Sequence, residues 1–238
     1  MRVVLAALLL QPFAAPSALA GPPYATDDPE PTDPGHWEIY AFTSGTRVTG
    51  LVDGQTGLDL NYGAVPGVQL TATLPLAFAT GQGAGTGDLE FGVKYRFLHK
   101  EAAGVSFALF PRLIAPTANH RFGTGRAQFL LPLWGQKDMG HWSLFGGGGY
   151  MLNPGRGNRD FWTGGVALTR EIGSRLSLGG EVTREGPGAV GDHATTNLGL
   201  GGSYRLRGPF ALLFSAGPGF SQGTGTQFHA YAALALNF

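Results

Sequence analysis

In one stretch of this chain the charged side chains stand at alternate positions rather than in a run. Between residues 88 and 97, Asp88, Glu90, Lys94 and Arg96 alternate with Leu89, Phe91, Val93, Tyr95 and Phe97. Side chains on a strand point alternately to its two sides, so one face of this segment is apolar and the other carries four charges. A charged face of this kind lines water or other polar groups, and the same parity on neighbouring segments assembles a set of inward candidates. These are Asp59, Asn61, Asp88, Glu90, Glu171 and Glu181 against Lys94, Arg96, Arg112, Arg126 and Arg205. The signs balance, which predicts weak charge selectivity or an interior cross-linked by ion pairs. Structural pairing is the expected role, direct contact with a solute the alternative.

Other constellations carry less. His141 and Ser143 sit two apart on one strand face, a spacing that would let a base approach a nucleophile, but no third group and no G-x-S-x-G accompany them. The glycine-rich stretch 81–87, GQGAGTG, lacks the following Lys-Ser/Thr and helix of a phosphate loop and reads as a loop. Six histidines, at 36, 99, 120, 141, 193 and 229, are scattered without ligand spacing. The sequence therefore predicts no catalytic residue, no metal site and no cofactor. Asp27, Asp28, Glu30 and Asp33 lie in a proline-rich arm. The arm reads as a solvated tether, with divalent-cation binding or folding inward as a plug as the alternatives.

The elements that must position these residues are strands. Alternation marks them at 36–44, 56–62, 68–78, 88–97, 105–114, 126–134, 141–152, 161–172, 175–184, 195–206, 210–216 and 227–238. In the sixth of these, Leu130 and Trp134 fall on the inner face. The seventh contains Gly146, Gly147, Gly148 and Gly149, which predict a bend in the wall. About twelve strands, apolar outward and polar inward, predict an all-β fold, a closed antiparallel transmembrane β-barrel. The intervening segments alternate long (45–55, 80–87, 115–124, 153–160, 185–194, 217–226) and short, as in a barrel with long extracellular loops and short periplasmic turns. At about twelve strands the bore falls between filled eight-stranded barrels and open porins, so a narrow or plugged passage is expected.

The 238 residues include 40 glycines, no cysteine and only 13% charged residues, at zero formal net charge. That excludes a disulfide framework and a thiolate site, and gives no electrostatic reason to expect nucleic acid. Residues 1–20 have the charged start, short apolar core and Ala-Leu-Ala end of a secretory signal peptide. The expected organisation is a leader at 1–20, a Pro/Asp-rich periplasmic arm or plug at 21–35, and the barrel at 36–238. The location expected for the mature chain is the outer membrane of a Gram-negative bacterium.

The C-terminal YAALALNF, with Tyr231, Leu234, Leu236 and Phe238, resembles the assembly signal of outer-membrane proteins. Its implied partners are the barrel-assembly machinery and outer-membrane lipid. TDDPEPTDPGHWEIY at 26–40, GTGDLEFGVKYRF at 85–97 and RLIAPTANHRFGTG at 112–125 resemble the outer-membrane transporter family of the MetA-pathway of phenol degradation type. The resemblance implies a channel for passive passage of small, hydrophobic or aromatic solutes, distantly similar to long-chain fatty-acid channels, with no catalytic residues to carry across. A lipid-modifying barrel enzyme and a non-conducting structural or adhesive barrel are the alternatives.

Overall fold

In a computed structural model the described residues are 23–222 and 225–238; the leader expected at 1–20 lies outside them. Fourteen strands form one antiparallel sheet that closes on itself. They are β1 (Trp37–Val48), β2 (Leu51–Val65), β3 (Val68–Ala79), β4 (Gly83–Thr86), β5 (Leu89–Lys100), β6 (Val105–Leu109), β7 (Arg112–Ala115), β8 (Gln128–Met139), β9 (Trp142–Leu152), β10 (Phe161–Ile172), β11 (Leu176–Glu185), β12 (Thr195–Arg205), β13 (Phe210–Ser221) and β14 (Gly225–Asn237). β4 and β5 run end to end along β3, and β6 and β7 run end to end along β8. Counting each of these two pairs once gives a wall of 12 strands. The ring closes where β1 pairs with β14 from Glu38↔Asn237 to Val48↔Gln227.

Strict alternation explains the wall. On β5, Phe91, Val93, Tyr95 and Phe97 are exposed on the outer surface, while Lys94 between them is buried on the inner one. Leu58, Leu70, Leu133 and Leu234 continue the outer apolar surface on other strands. A band of this kind around a closed barrel is what a hydrocarbon environment requires, because every backbone donor is already used by a neighbouring strand.

The interior is filled unevenly. Tyr40 and Phe42 of β1 pack inside against Ala211 and Leu213 of β13 and Ala233 and Ala235 of β14, and Phe42 stacks on Tyr231 with ring centroids 6.2 Å apart. The alanines make room for the aromatic rings. In β8, Leu130 and Trp134 are buried on the inner face as their parity predicts.

Two expectations change. The segments 45–55 and 217–226 are not loops over most of their length. β1 and β2 continue to a two-residue turn at Thr49 (φ 47°) and Gly50 (φ 90°), and β13 extends to Ser221 with β14 starting at Gly225. These tall hairpins hold Gly45, Gly54, Gly217 and Gly219 within their strands, and such glycines read as turn residues even though Val52, Phe220 and Phe228 stand among them. The fifth strand is broken at Phe110 and Pro111, because Pro111 has no N–H to give to the ladder. The four-glycine run keeps continuous pairing with β8 and β10 and lets the neighbouring backbones come close, a Cβ on Gly147 standing 2.0 Å from the Leu133 carbonyl oxygen; register shifts lie at Gly63/Val65 and Arg96/Leu98.

Candidate functional site: the lumen and the arm inside it

The end of the barrel where β1 begins and β14 ends is here called the lower end. Residues 23–36 enter the lumen there and run upward inside it, so the arm is not a solvated tether. Each of its anchors comes from a different part of the wall. At the upper tip, Ser215 Oγ of β13 donates to the Pro23 carbonyl at 2.6 Å. The Glu181 carboxylate of β11 accepts from Ala25 N (3.1 Å), Thr26 N (2.9 Å) and Thr26 Oγ1 (2.9 Å). Lys94 of β5 lies 2.9 Å from Asp27 and 3.7 Å from Asp28, and its Nζ also donates to the Glu30 carbonyl. Arg96 pairs with Glu30. Lower down, Thr32 N and Oγ1 donate to Gln69 Oε1 at 2.8 and 3.1 Å, and Gln69 Nε2 donates in turn to Asn61 and Thr71. Gly35 N donates to the Gly63 carbonyl at 2.7 Å where the arm meets β2.

The arm's composition suits a chain without a strand partner. A backbone N–H inside the lumen must find an acceptor, and Pro23, Pro29, Pro31 and Pro34 have no N–H to satisfy. Two of the remaining donors are met locally, Asp28 N by the Asp27 side chain and Glu30 N by the Asp28 side chain. The wall yields space at two glycines. A Cβ on Gly63 would stand 2.0 Å from the Asp33 carbonyl oxygen, and one on Gly165 2.4 Å from Thr26 Oγ1. Any larger residue at either position displaces the arm.

The candidate residues separate into groups. Lys94, Arg96, Glu181 and Asn61 hold the arm directly or through Gln69. Glu90 and Arg112 pair with each other at 3.1 Å, with the Arg112 guanidinium and the Lys94 ammonium both over the Phe110 ring. Asp59 faces inward and accepts from Thr73 Oγ1. Glu171 and Arg205 line the lower part of the lumen. Asp88 instead fastens the loop 116–127, accepting from Ala118 N, Thr124 N and Thr124 Oγ1. Arg126 stands exposed in that loop and is not on the wall. Tyr231 points inward against Phe42, whereas Leu234 and Phe238 are exposed on the outside and at the lower rim. His141 and Ser143 do not meet: the His141 ring is 3.9 Å from Glu171, and Ser143 Oγ donates to Asp138.

Gln69, Thr32, Ser215 and Glu38 carry weight that the sequence did not announce. Gln69 and Ser215 could have been found only as polar residues on inner parity, and Glu38 only as one acid in a strand read mainly for its apolar positions. Glu38 accepts from the Tyr40 hydroxyl.

The arm divides the free space. Above it lies a vestibule of about 520 Å³ bounded by the upper halves of β1–β3 and β14, the arm tip and Phe122 from the loop 116–127. Beside and below the tip lies a slot of about 100 Å³ against β8–β12, lined by hydroxyls of Ser143, Thr169, Ser177 and Ser203 together with Glu171 and Arg205. Tyr24 borders both spaces. Its ring packs on Phe145 at 6.2 Å, its hydroxyl has no partner, and burial together with Glu181 pushes its pKa up. The slot has room for only a few waters, at about 30 Å³ each.

Comparison with solved structures places this architecture among outer-membrane barrels. The chain is similar to an outer membrane channel from Pseudomonas putida F1, with a TM-score of 0.73 at 17% identity, covering 92% of this chain and 99% of that one. It is similar also to the KdgM porin, solved in complex with disordered oligogalacturonate, with a TM-score of 0.60 at 12% identity over 84% and 99% of the two chains. The translocator domain of the autotransporter NalP from Neisseria meningitidis gives 0.55 at 10% identity over 84% and 87%. These likenesses establish the fold. No protein-family model and no curated protein matches the sequence.

Proposed function

We propose that the protein is an outer-membrane channel through which small solutes pass down their gradient, with the N-terminal arm setting the width of the passage. The observation that carries this reading is the arm itself: a segment anchored inside a closed barrel, with a vestibule above it and a water-sized slot beside it. The outer apolar band supports a place in the outer membrane of a Gram-negative bacterium, after removal of the leader. The C-terminal strand bearing Tyr231, Leu234, Leu236 and Phe238 is the segment offered to the barrel-assembly machinery. Two of the solved relatives are a channel and a porin, which supports the same class of function.

For the solute, the aromatic side chains around the vestibule, Phe78, Phe122, Tyr24 and Tyr231, agree with the resemblance to MetA-type transporters and favour small organic molecules. The lipid-enzyme alternative loses its one constellation, because Ser143 and His141 each face a different carboxylate. A non-conducting barrel is favoured by a single feature, the ion-paired filling between the arm and β5. Single-channel recording of the refolded mature protein beside a form lacking residues 21–35 decides between them. Current steps that grow when the arm is removed are the expected result. Silence of both forms overturns the channel reading.

A further inference from the structure

The chain has no net charge, yet its charges are sorted by place. The bases lie largely off the lumen. Arg126 and Arg121 stand in the loop 116–127, Arg175 and Arg207 in lower turns, and Arg170 stacks outside the wall on Trp142 at 5.1 Å. Those that do face the lumen from β5 and β7 are already matched: Lys94 to Asp27 and Asp28, Arg96 to Glu30, and Arg112 to Glu90.

The lumen carboxylates are not matched in the same way. On one side, Asp53 and Asp59 of β2 and Glu38 of β1 descend the wall from its upper to its lower end. On the other, Glu185 and Glu181 of β11 and Glu171 of β10 descend in parallel. β2 and β10 stand on opposite sides of the ring, separated one way by β3, β5, the β6–β7 strand, β8 and β9. Among the described residues none of these six carboxylates forms an ion pair with a lysine or arginine. Thr26 and the arm amides satisfy Glu181 by hydrogen bonds without neutralising it. Arg205, with Arg175 beside it, is the base that adjoins the slot, and it sits at the lower mouth near Glu171.

We infer that the lumen is cation-selective, and that amine-bearing small solutes are its preferred class over carboxylates of the same size. This rests on the channel reading and makes it more specific. Two facing columns of one sign set the potential of the passage above its lower mouth, as acidic rings do in cation pores; at that mouth Arg175 and Arg205 line a cavity of about 440 Å³ together with Asp33 and Glu38. The balanced signs of the sequence mislead because Asp53, Glu38 and Glu185 also belong to the lumen, while Asp88 and Arg126 leave its lining together, one to fasten a loop and one to stand in it.

The test is the zero-current potential of the purified full-length protein in a planar bilayer under a potassium chloride gradient, repeated on the form without residues 21–35. Proteoliposome swelling in isosmotic ethanolamine hydrochloride and in sodium acetate is run alongside. The expected result is a zero-current potential shifted toward the potassium equilibrium value and faster swelling in the ethanolamine salt. In the double variant Asp53→Asn/Glu171→Gln both preferences shrink. Conduction with no preference, with an anion preference, or with a cation preference unchanged in the double variant overturns the inference and leaves the channel standing. Absence of current and swelling from both forms overturns the channel reading and the inference together.

Discussion

Lys94 is 1% exposed on a strand whose other face meets lipid, and its ion pairs among the described residues all come from the arm, with the Phe110 ring of the wall beside it. A buried ammonium deprived of its carboxylates, or carboxylates deprived of their ammonium, costs on the order of 3–5 kcal/mol. Lys94→Met therefore takes away the ammonium that Asp27 meets at 2.9 Å, and the arm leaves the lumen to rehydrate that carboxylate. Because the chain has no cysteine, a single Thr32→Cys serves as reporter. In the parent it is shielded from a membrane-impermeant maleimide, since Thr32 is 2% exposed. With Lys94→Met, or with Gly165→Val in the wall, labelling accelerates at least several-fold. A labelling rate unchanged by both substitutions removes the ion pair and the glycine seat as causes of the arm's position. None of this was readable from the sequence, which shows that Lys94 faces inward but not what it faces. Its partners lie more than sixty residues away, and Glu181 meets Thr26 across a separation of 155.

At the scale of elements, alternation was enough wherever a strand had lipid on one side. The boundaries of β3, β9 and β10 fall within a residue or so of those expected. It failed in the β1–β2 and β13–β14 hairpins, where glycines at 45, 54, 217 and 219 lie inside the strands and read as turn residues. It also failed at Pro111, whose effect depends on which neighbour needs a donor. The loop 116–127 is a different case, a true loop held by a side chain. Asp88 takes three hydrogen bonds from it, and Phe122 from the same loop bounds the vestibule. Asp88→Ala releases the loop and opens the vestibule's side. Trypsin cleavage after Arg121 or Arg126, both exposed, then speeds up in folded protein, while an unchanged cleavage rate shows that the loop is held by other contacts.

For the molecule as a whole, two solvents act on one sheet. Leu133, 45% exposed on the outer surface, pairs across to Gly148 and stands beside inner Trp134, which is 4% exposed. An arginine on the lipid surface near mid-height costs about 2–4 kcal/mol. Leu133→Arg thus lowers the urea midpoint of the protein refolded in lipid vesicles, whereas Thr71→Ser on the lumen side leaves it nearly unchanged. Equal effects at the two sites contradict the assignment of lipid to the outer surface. The overall architecture could be anticipated because this two-solvent pattern repeats on nearly every strand; the occupant of the lumen stood only as one alternative reading of the arm, because nothing in its own sequence is periodic. That occupant touches β13, β11, β5, β3 and β2, with Ser215 reaching Pro23 across a sequence separation of 192. A slip of two residues in any one of those strands preserves its inside-outside pattern and its ladder, yet moves an anchor by roughly 7 Å, out of bonding reach. The arm, made before any strand, therefore gauges the register of strands made late, and a barrel that closes misaligned is left with an unseated arm and a leak.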